Sequence, residues 1–106
     1  MKDSEKKIQE LQMIEQNLSN LVMQKQNFQS RLLENENALK EVDESKKTTY
    51  KIIGSIMIAV DKENLKKELN SEKEIFDLRI KSFEKQENKL KERAQDLQKD
   101  ILKELK

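Results

Sequence analysis

The sequence predicts a mainly helical fold, an antiparallel two-helix coiled coil with a single β-hairpin between the helices. Its 106 residues include one Gly and no Pro, so few positions would break a helix. Apolar residues recur at heptad spacing in both halves, and the centre is rich in β-branched residues that suit strands. We therefore expect one domain over residues 1–106, with helices at about 4–44 and 61–106 and a β-hairpin at about 47–60.

Each predicted helix carries an apolar seam at the a and d positions of a heptad repeat. In the first helix these positions are Leu11, Ile14, Leu18, Leu21, Lys25, Phe28, Leu32, Asn35, Leu39 and Val42. In the second they are Lys66, Leu69, Lys73, Phe76, Ile80, Phe83, Glu87, Leu90, Ala94, Leu97 and Ile101. Folding the chain about Gly54 makes the seams face each other, with Leu18 opposite Leu90 and Leu32 opposite Phe76. This shared centre favours an intrachain hairpin over a parallel dimer of separate helices.

Five seam positions hold polar residues, namely Lys25, Asn35, Lys66, Lys73 and Glu87. The register about Gly54 places Lys25 opposite Phe83, Glu87 opposite Leu21 and Asn35 opposite Lys73. We interpret these polar residues as side chains that reach the solvent at the edge of an exposed two-helix seam. The alternative interpretation is that they control the register of the two helices or loosen the packing between them.

The segment from Tyr50 to Val60 predicts the β-hairpin. Gly54-Ser55 fits a two-residue turn because Gly tolerates the positive φ that such a turn needs, and Asp61 can cap the second helix. The resulting ribbon is apolar on both faces and open at both edges, so it is marginal alone and prone to aggregate. The sequence therefore requires partner subunits, most simply through a shared sheet or barrel. The expected assembly residues are Tyr50, Ile52, Ile53, Gly54, Ile56, Met57, Ile58 and Val60.

Composition and charge argue against several classes of function. Lys and Arg total 22, Asp and Glu total 21, and basic and acidic residues are interleaved along the whole chain, which does not favour nucleic acid as the main partner. There is no His, no Cys and no Gly-rich phosphate loop, so we expect no enzyme activity, no cofactor and no metal site.

Segments that direct a protein to a membrane or out of the cell are not predicted. The first ten residues lack the apolar core of a signal peptide. The longest apolar run, at residues 56–60, is far shorter than the roughly 20 residues needed to span a bilayer. We expect a cytoplasmic protein.

Apolar residues off the seam collect near both ends of the chain. The expected hairpin brings these ends together at its open end, farthest from the strands, where little of the chain remains to cover them. We expect this tip to bind other chains through exposed apolar side chains. The alternative is that stray apolar residues lie at frayed helix ends. The expected binding residues are Ile8, Leu11, Met13, Leu97, Ile101, Leu102 and Leu105.

Several segments have a specific sequence, above all YKIIGSIMI at residues 50–58, DKENLKKEL at 61–69 and LRIKSFEKQE at 78–87. VMQKQ at 22–26 and ALKEV at 38–42 stand beside them in the first helix. Together these segments resemble the β-type subunits of archaeal prefoldin and the similar eukaryotic prefoldin subunit 6. The resemblance covers nearly the whole chain, and the single hairpin resembles the β type because α-type subunits have two.

This resemblance implies a chaperone subunit. It implies a hexamer of two α-type and four β-type subunits whose hairpins form an intersubunit β-barrel. The coiled-coil tips would hold unfolded polypeptide and deliver it to a group II chaperonin without ATP. The alternative is a structural coiled-coil adaptor that binds one folded partner, and suppression of aggregation of an unrelated unfolded protein would distinguish the two.

Overall fold

The computed structural model describes residues 2–105, so Met1 and Lys106, the ends of the expected domain, lie outside the described residues. The elements follow in the order α1 (Lys2–Glu44), β1 (Thr49–Ile53), β2 (Ile56–Val60) and α2 (Lys62–Leu105). The predicted order of helix, hairpin and helix is confirmed. The first strand begins two residues after the predicted start of the hairpin, and the second ends at Val60, as predicted.

The hairpin has the register that a two-residue turn predicts. β1 and β2 pair antiparallel, with Ile53 opposite Ile56 and Thr49 opposite Val60. Gly54 has a φ of 60°, a value that side chains with a Cβ rarely adopt, and this explains the position of the only Gly in the chain. Asp61 caps α2 as expected, because its Oδ2 accepts a hydrogen bond of 3.3 Å from the backbone N–H of Asn64.

Two lysine side chains of α2 bind the C-terminal end of α1. The last turn of α1 contains no basic residue, although its free carbonyls favour a positive charge there. Lys62 supplies that charge, because its Nζ donates to the carbonyls of Asp43 at 3.1 Å and Ser45 at 3.0 Å. Lys66 forms an ion pair of 2.6 Å with Asp43. These contacts fix the start of α2 beside the end of α1.

The heptad seam is confirmed by burial. All the a and d residues assigned from the sequence are buried or half-buried, including the polar ones. The described residues divide into two compact units. Unit 1 takes the residues up to Asn27 and from Ile80 onward, and unit 2 is Phe28–Arg79. Each unit contains part of both helices, and unit 2 also contains the β-hairpin.

An aromatic pair and one buried amide also join the two helices within unit 2. The rings of Phe28 and Phe76 lie 6.0 Å apart at 57°, and Phe28 is one turn from Leu32, the predicted partner of Phe76. Our interpretation of Asn35 as a solvent-reaching side chain is wrong. Asn35 is buried, and its Nδ2 donates a hydrogen bond of 2.9 Å to the backbone carbonyl of Leu69.

Unit 1 contains a buried ion pair where the sequence suggested two solvent-reaching side chains. Lys25 Nζ lies 3.0 Å from Glu87 Oε1 and donates to Oε2 at 3.3 Å. Glu87 is only 5% exposed. The interpretation that Glu87 reaches the solvent is therefore wrong, because the ammonium group of Lys25 partners its carboxylate inside the seam.

Candidate functional site

An apolar groove lies in unit 1 between the two helices, close to the chain ends. Ile8 and Leu11 of α1 form one wall, and Gln98, Ile101 and Leu102 of α2 form the other. Its volume is about 360 Å³. We call it the tip groove, and four of its five residues are among those expected from the sequence to bind other chains.

The four apolar residues of the tip groove have two different roles. Leu11 and Ile101 sit on the heptad seam and are largely covered, whereas Ile8 and Leu102 lie beside the seam and remain exposed. The covered pair joins the two helices, and the exposed pair offers apolar surface to another molecule. An apolar side chain seated there would leave water without requiring a specific shape, since this interaction is non-directional.

Three other expected tip residues do not line this groove. Leu97 is 1% exposed and serves the core between the helices. Met13 is exposed, but it lies among Gln9, Gln12 and Gln16 on a different surface of α1. Leu105 is exposed in the last turn of α2.

Polar contacts join the helices beside the tip groove. Ser4 Oγ donates a hydrogen bond to Glu104 Oε2, and Lys7 Nζ lies 2.5 Å from Glu104 Oε1 and 4.0 Å from Asp100. Ser4 contacts Glu104, as the register about Gly54 predicts. Ser4, Lys7 and Glu104 are not among the site residues expected from the sequence, although their a and d positions near the chain ends are a signal that could have indicated them.

The same contacts shift two pKa values. Hydrogen bonding from Lys7, and then from Ser4, lowers the pKa of Glu104 from its ordinary value of 4.5. The bond to Glu104 raises the pKa of Lys7 from 10.5. The contacts of ionised Glu104 therefore stabilise the folded chain above about pH 4.5, and this stabilisation is lost as the pH falls through the lower pKa of the folded state. The Lys7 contribution is lost as the pH rises beyond 10.5 through the raised value.

The β-hairpin presents a second apolar surface. The six large apolar side chains at Tyr50, Ile52, Ile53, Ile56, Met57 and Ile58 are 43% to 68% exposed. The strand register puts Ile53, Ile56 and Ile58 on one face and Tyr50, Ile52 and Met57 on the other. In the described chain the sheet has two strands only, so each strand has an edge free for further pairing.

Within residues 2–105, no helix is long and apolar enough to cross a bilayer. The acidic side chains of this described part form no cluster that could hold a metal ion.

The fold and its two surfaces define a class: a coiled-coil hairpin protein that exposes apolar side chains on its strands and near its chain ends. The sequence matches the Prefoldin subunit family over residues 5–106. This chain therefore belongs to the prefoldin family, whose members are chaperone subunits.

Individual relatives agree with this assignment. The chain is 36% identical over 93 residues to the prefoldin subunit beta of Sulfurisphaera tokodaii, covering 86% of this chain and 74% of that protein. It is 33% identical over 96 residues to that of Archaeoglobus fulgidus, covering 89% and 83%. The crystal structure of the prefoldin beta subunit from Thermococcus strain KS-1 is similar, with a TM-score of 0.90 and 28% identity over 98% of this chain and 93% of that chain. The resemblance drawn from the sequence is confirmed.

Proposed function

We propose that this chain acts in the cytoplasm as a β-type subunit of a hexamer with two α-type and four β-type subunits. The hexamer holds unfolded polypeptide without ATP and delivers it to a group II chaperonin. The tip groove carries this proposal, because it combines exposed apolar side chains from both helices near the chain ends. An unfolded client offers apolar side chains in no fixed arrangement, and a shallow apolar groove suits such a ligand.

Affinity arises from several weak contacts. Full burial of one Ile or Leu side chain is worth about 1.5–3 kcal/mol, so a single groove binds a client segment weakly. Several grooves on one assembly raise the effective concentration of the second and later contacts. Such binding tolerates many client sequences and still permits release. It also explains why holding a client needs an assembly rather than one hairpin.

The hairpin supports the assembly part of the proposal. Its exposed apolar faces and free edges fit a sheet shared with other subunits. The residues we propose for this contact are Tyr50, Ile52, Ile53, Gly54, Ile56, Met57, Ile58 and Val60.

Polar replacement of the exposed tip residues tests where clients are held. We expect the variant Ile8→Ser, Leu102→Ser and Leu105→Ser to need about ten times more protein for the same protection of a denatured model client. The tip groove loses both of its exposed apolar side chains, and the last turn of α2 loses a third beside it. The measurement is light scattering during client aggregation, with assembly mass checked in parallel. Adding a group II chaperonin to the client-bound native assembly then tests delivery through client release.

The chain offers a matched control for this variant. Met23, Leu33 and Leu78 are also exposed and do not line the tip groove. Their replacement by Ser should leave protection unchanged. If the control lost protection of the client and the assembled tip variant kept it, the client site would lie along the helices, away from the tip groove. Binding of one folded partner, without protection of an unrelated unfolded client, would instead favour the adaptor function.

A further inference from the structure

We infer that Ser4, Lys7 and Glu104 form a clasp that holds the two walls of the tip groove together, which makes them positioning residues for client binding. The effect on client binding rests on the proposed function. The effect on the groove itself does not, and it can be measured without a client.

The tip groove depends on contact between two helix ends. Ile8 and Leu11 belong to α1, whereas Ile101 and Leu102 belong to α2. Helix ends fray unless other contacts hold them. If the ends separate, the walls part, and Ile101, which is 9% exposed, becomes accessible to solvent. The groove therefore exists only while something fastens the last turns.

The clasp occupies the positions where that fastening is needed. Ser4 and Lys7 hold the a and d positions that precede Leu11, and Glu104 holds the d position that follows Ile101. One carboxylate uses both oxygens to bind two residues of α1 that lie one turn apart. Ser4 is only 9% exposed, so its hydroxyl is built into the interface between the helices.

Polar clasp residues fix the geometry in a way that apolar ones would not. A Leu pair at this layer would also hold the helix ends, but its packing would be non-directional and would add apolar surface at the tip. Charge-assisted hydrogen bonds have defined lengths and angles. The shifts in the pKa values of Lys7 and Glu104 agree with a direct interaction between the two groups. The clasp thus sets the distance between the groove walls while leaving Ile8 and Leu102 exposed.

A single cysteine can report whether the groove is closed. The native chain has no Cys, so Ile101→Cys supplies the only thiol, and mass measurement of this chain in the assembled complex gives its labelling rate. We expect Glu104→Ala to raise that rate about three- to tenfold, since it removes both hydrogen bonds from a partly exposed site. The swap Lys7→Glu with Glu104→Lys should restore the slow rate, because it rebuilds the ion pair and Ser4 Oγ can accept from the new lysine.

The Glu10–Arg93 pair is the matched control. It also joins the two helices of unit 1, with a distance of 3.0 Å, but neither residue lines the groove. Glu10→Ala, made in the Ile101→Cys chain, should leave the labelling rate unchanged. Three results would each overturn the clasp: equal labelling rates in the Ile101→Cys chain with and without Glu104→Ala, equal acceleration by Glu10→Ala, or no rescue by the swap.

Client protection, measured on the same variants without the reporter cysteine, separates this inference from the proposed function. Protection that falls in Glu104→Ala and returns in the swap supports both. Faster labelling without loss of protection leaves the clasp standing and contradicts the tip groove as the client site. Unchanged labelling of Glu104→Ala, together with lost protection in the Ile8, Leu102 and Leu105 variant, leaves the client site standing and overturns the clasp.

Discussion

An aspartate in place of Ile56 is expected to stop this chain from assembling with other prefoldin subunits while most of its helix content remains. Ile56 lies opposite Ile53 at the end of the hairpin, and both are exposed in the single chain. In a shared sheet, the new carboxylate would be buried without a cation beside it. Such an uncompensated charge costs about 3–5 kcal/mol, which corresponds to at least about a hundredfold loss of affinity.

The measurement is the mass of the complex formed with an α-type subunit, combined with circular dichroism. Ser55→Asp is the control, because it adds the same charge one residue away in the turn. We expect this control to assemble normally. A full-sized complex that contains the Ile56→Asp chain would exclude the hairpin as the shared contact.

The sequence predicts the backbone of this protein well because a few local rules agree. Heptad spacing fixes which side of each helix is buried, and all the assigned seam residues are indeed covered. The single Gly has a positive φ at the centre of the hairpin, where the two-residue turn needs it. Asp61 begins α2 for the reason that its side chain suggests. Each of these features depends on residues within one or two turns of chain.

Side-chain partners were predicted less well because heptad positions describe where a side chain starts, not where its polar end lies. Lys25 was assigned to face Phe83, yet its four-carbon chain carries the ammonium group to Glu87, one turn further along α2. Met13 shares the chain end with Ile8, yet helix rotation places it among glutamines. The contacts of Ser4 and Lys7 with Glu104 were not predicted, because Ser, Lys and Glu are residue types that usually lie on exposed helix faces.

The Lys25–Glu87 pair has the second large expected effect, and the effect is asymmetric. Glu87 is buried, and its other nearby cation is Lys91, whose Nζ is 4.0 Å away on an exposed side chain. A Lys25→Leu variant therefore leaves a buried carboxylate almost uncompensated, and we expect it to lose about 3–5 kcal/mol of unfolding free energy. Glu87→Leu should cost less than about 1.5 kcal/mol, because a long lysine side chain can turn its charge toward the solvent.

The double variant Lys25→Leu with Glu87→Leu separates the charge from the packing. Both charges are then absent, and apolar side chains of suitable size continue the seam, so we expect stability equal to the native protein or up to about 4 kcal/mol higher. Urea unfolding of the assembled complex, followed by circular dichroism, gives all three values, and Lys91→Leu serves as a surface control with an expected change below about 0.5 kcal/mol. If the Lys25→Leu variant were no less stable than Glu87→Leu, the Glu87 carboxylate would have to reach water by moving out of the seam. A double variant that remained as unstable as Lys25→Leu would instead mean that packing around residue 25, and not the buried charge, sets the cost.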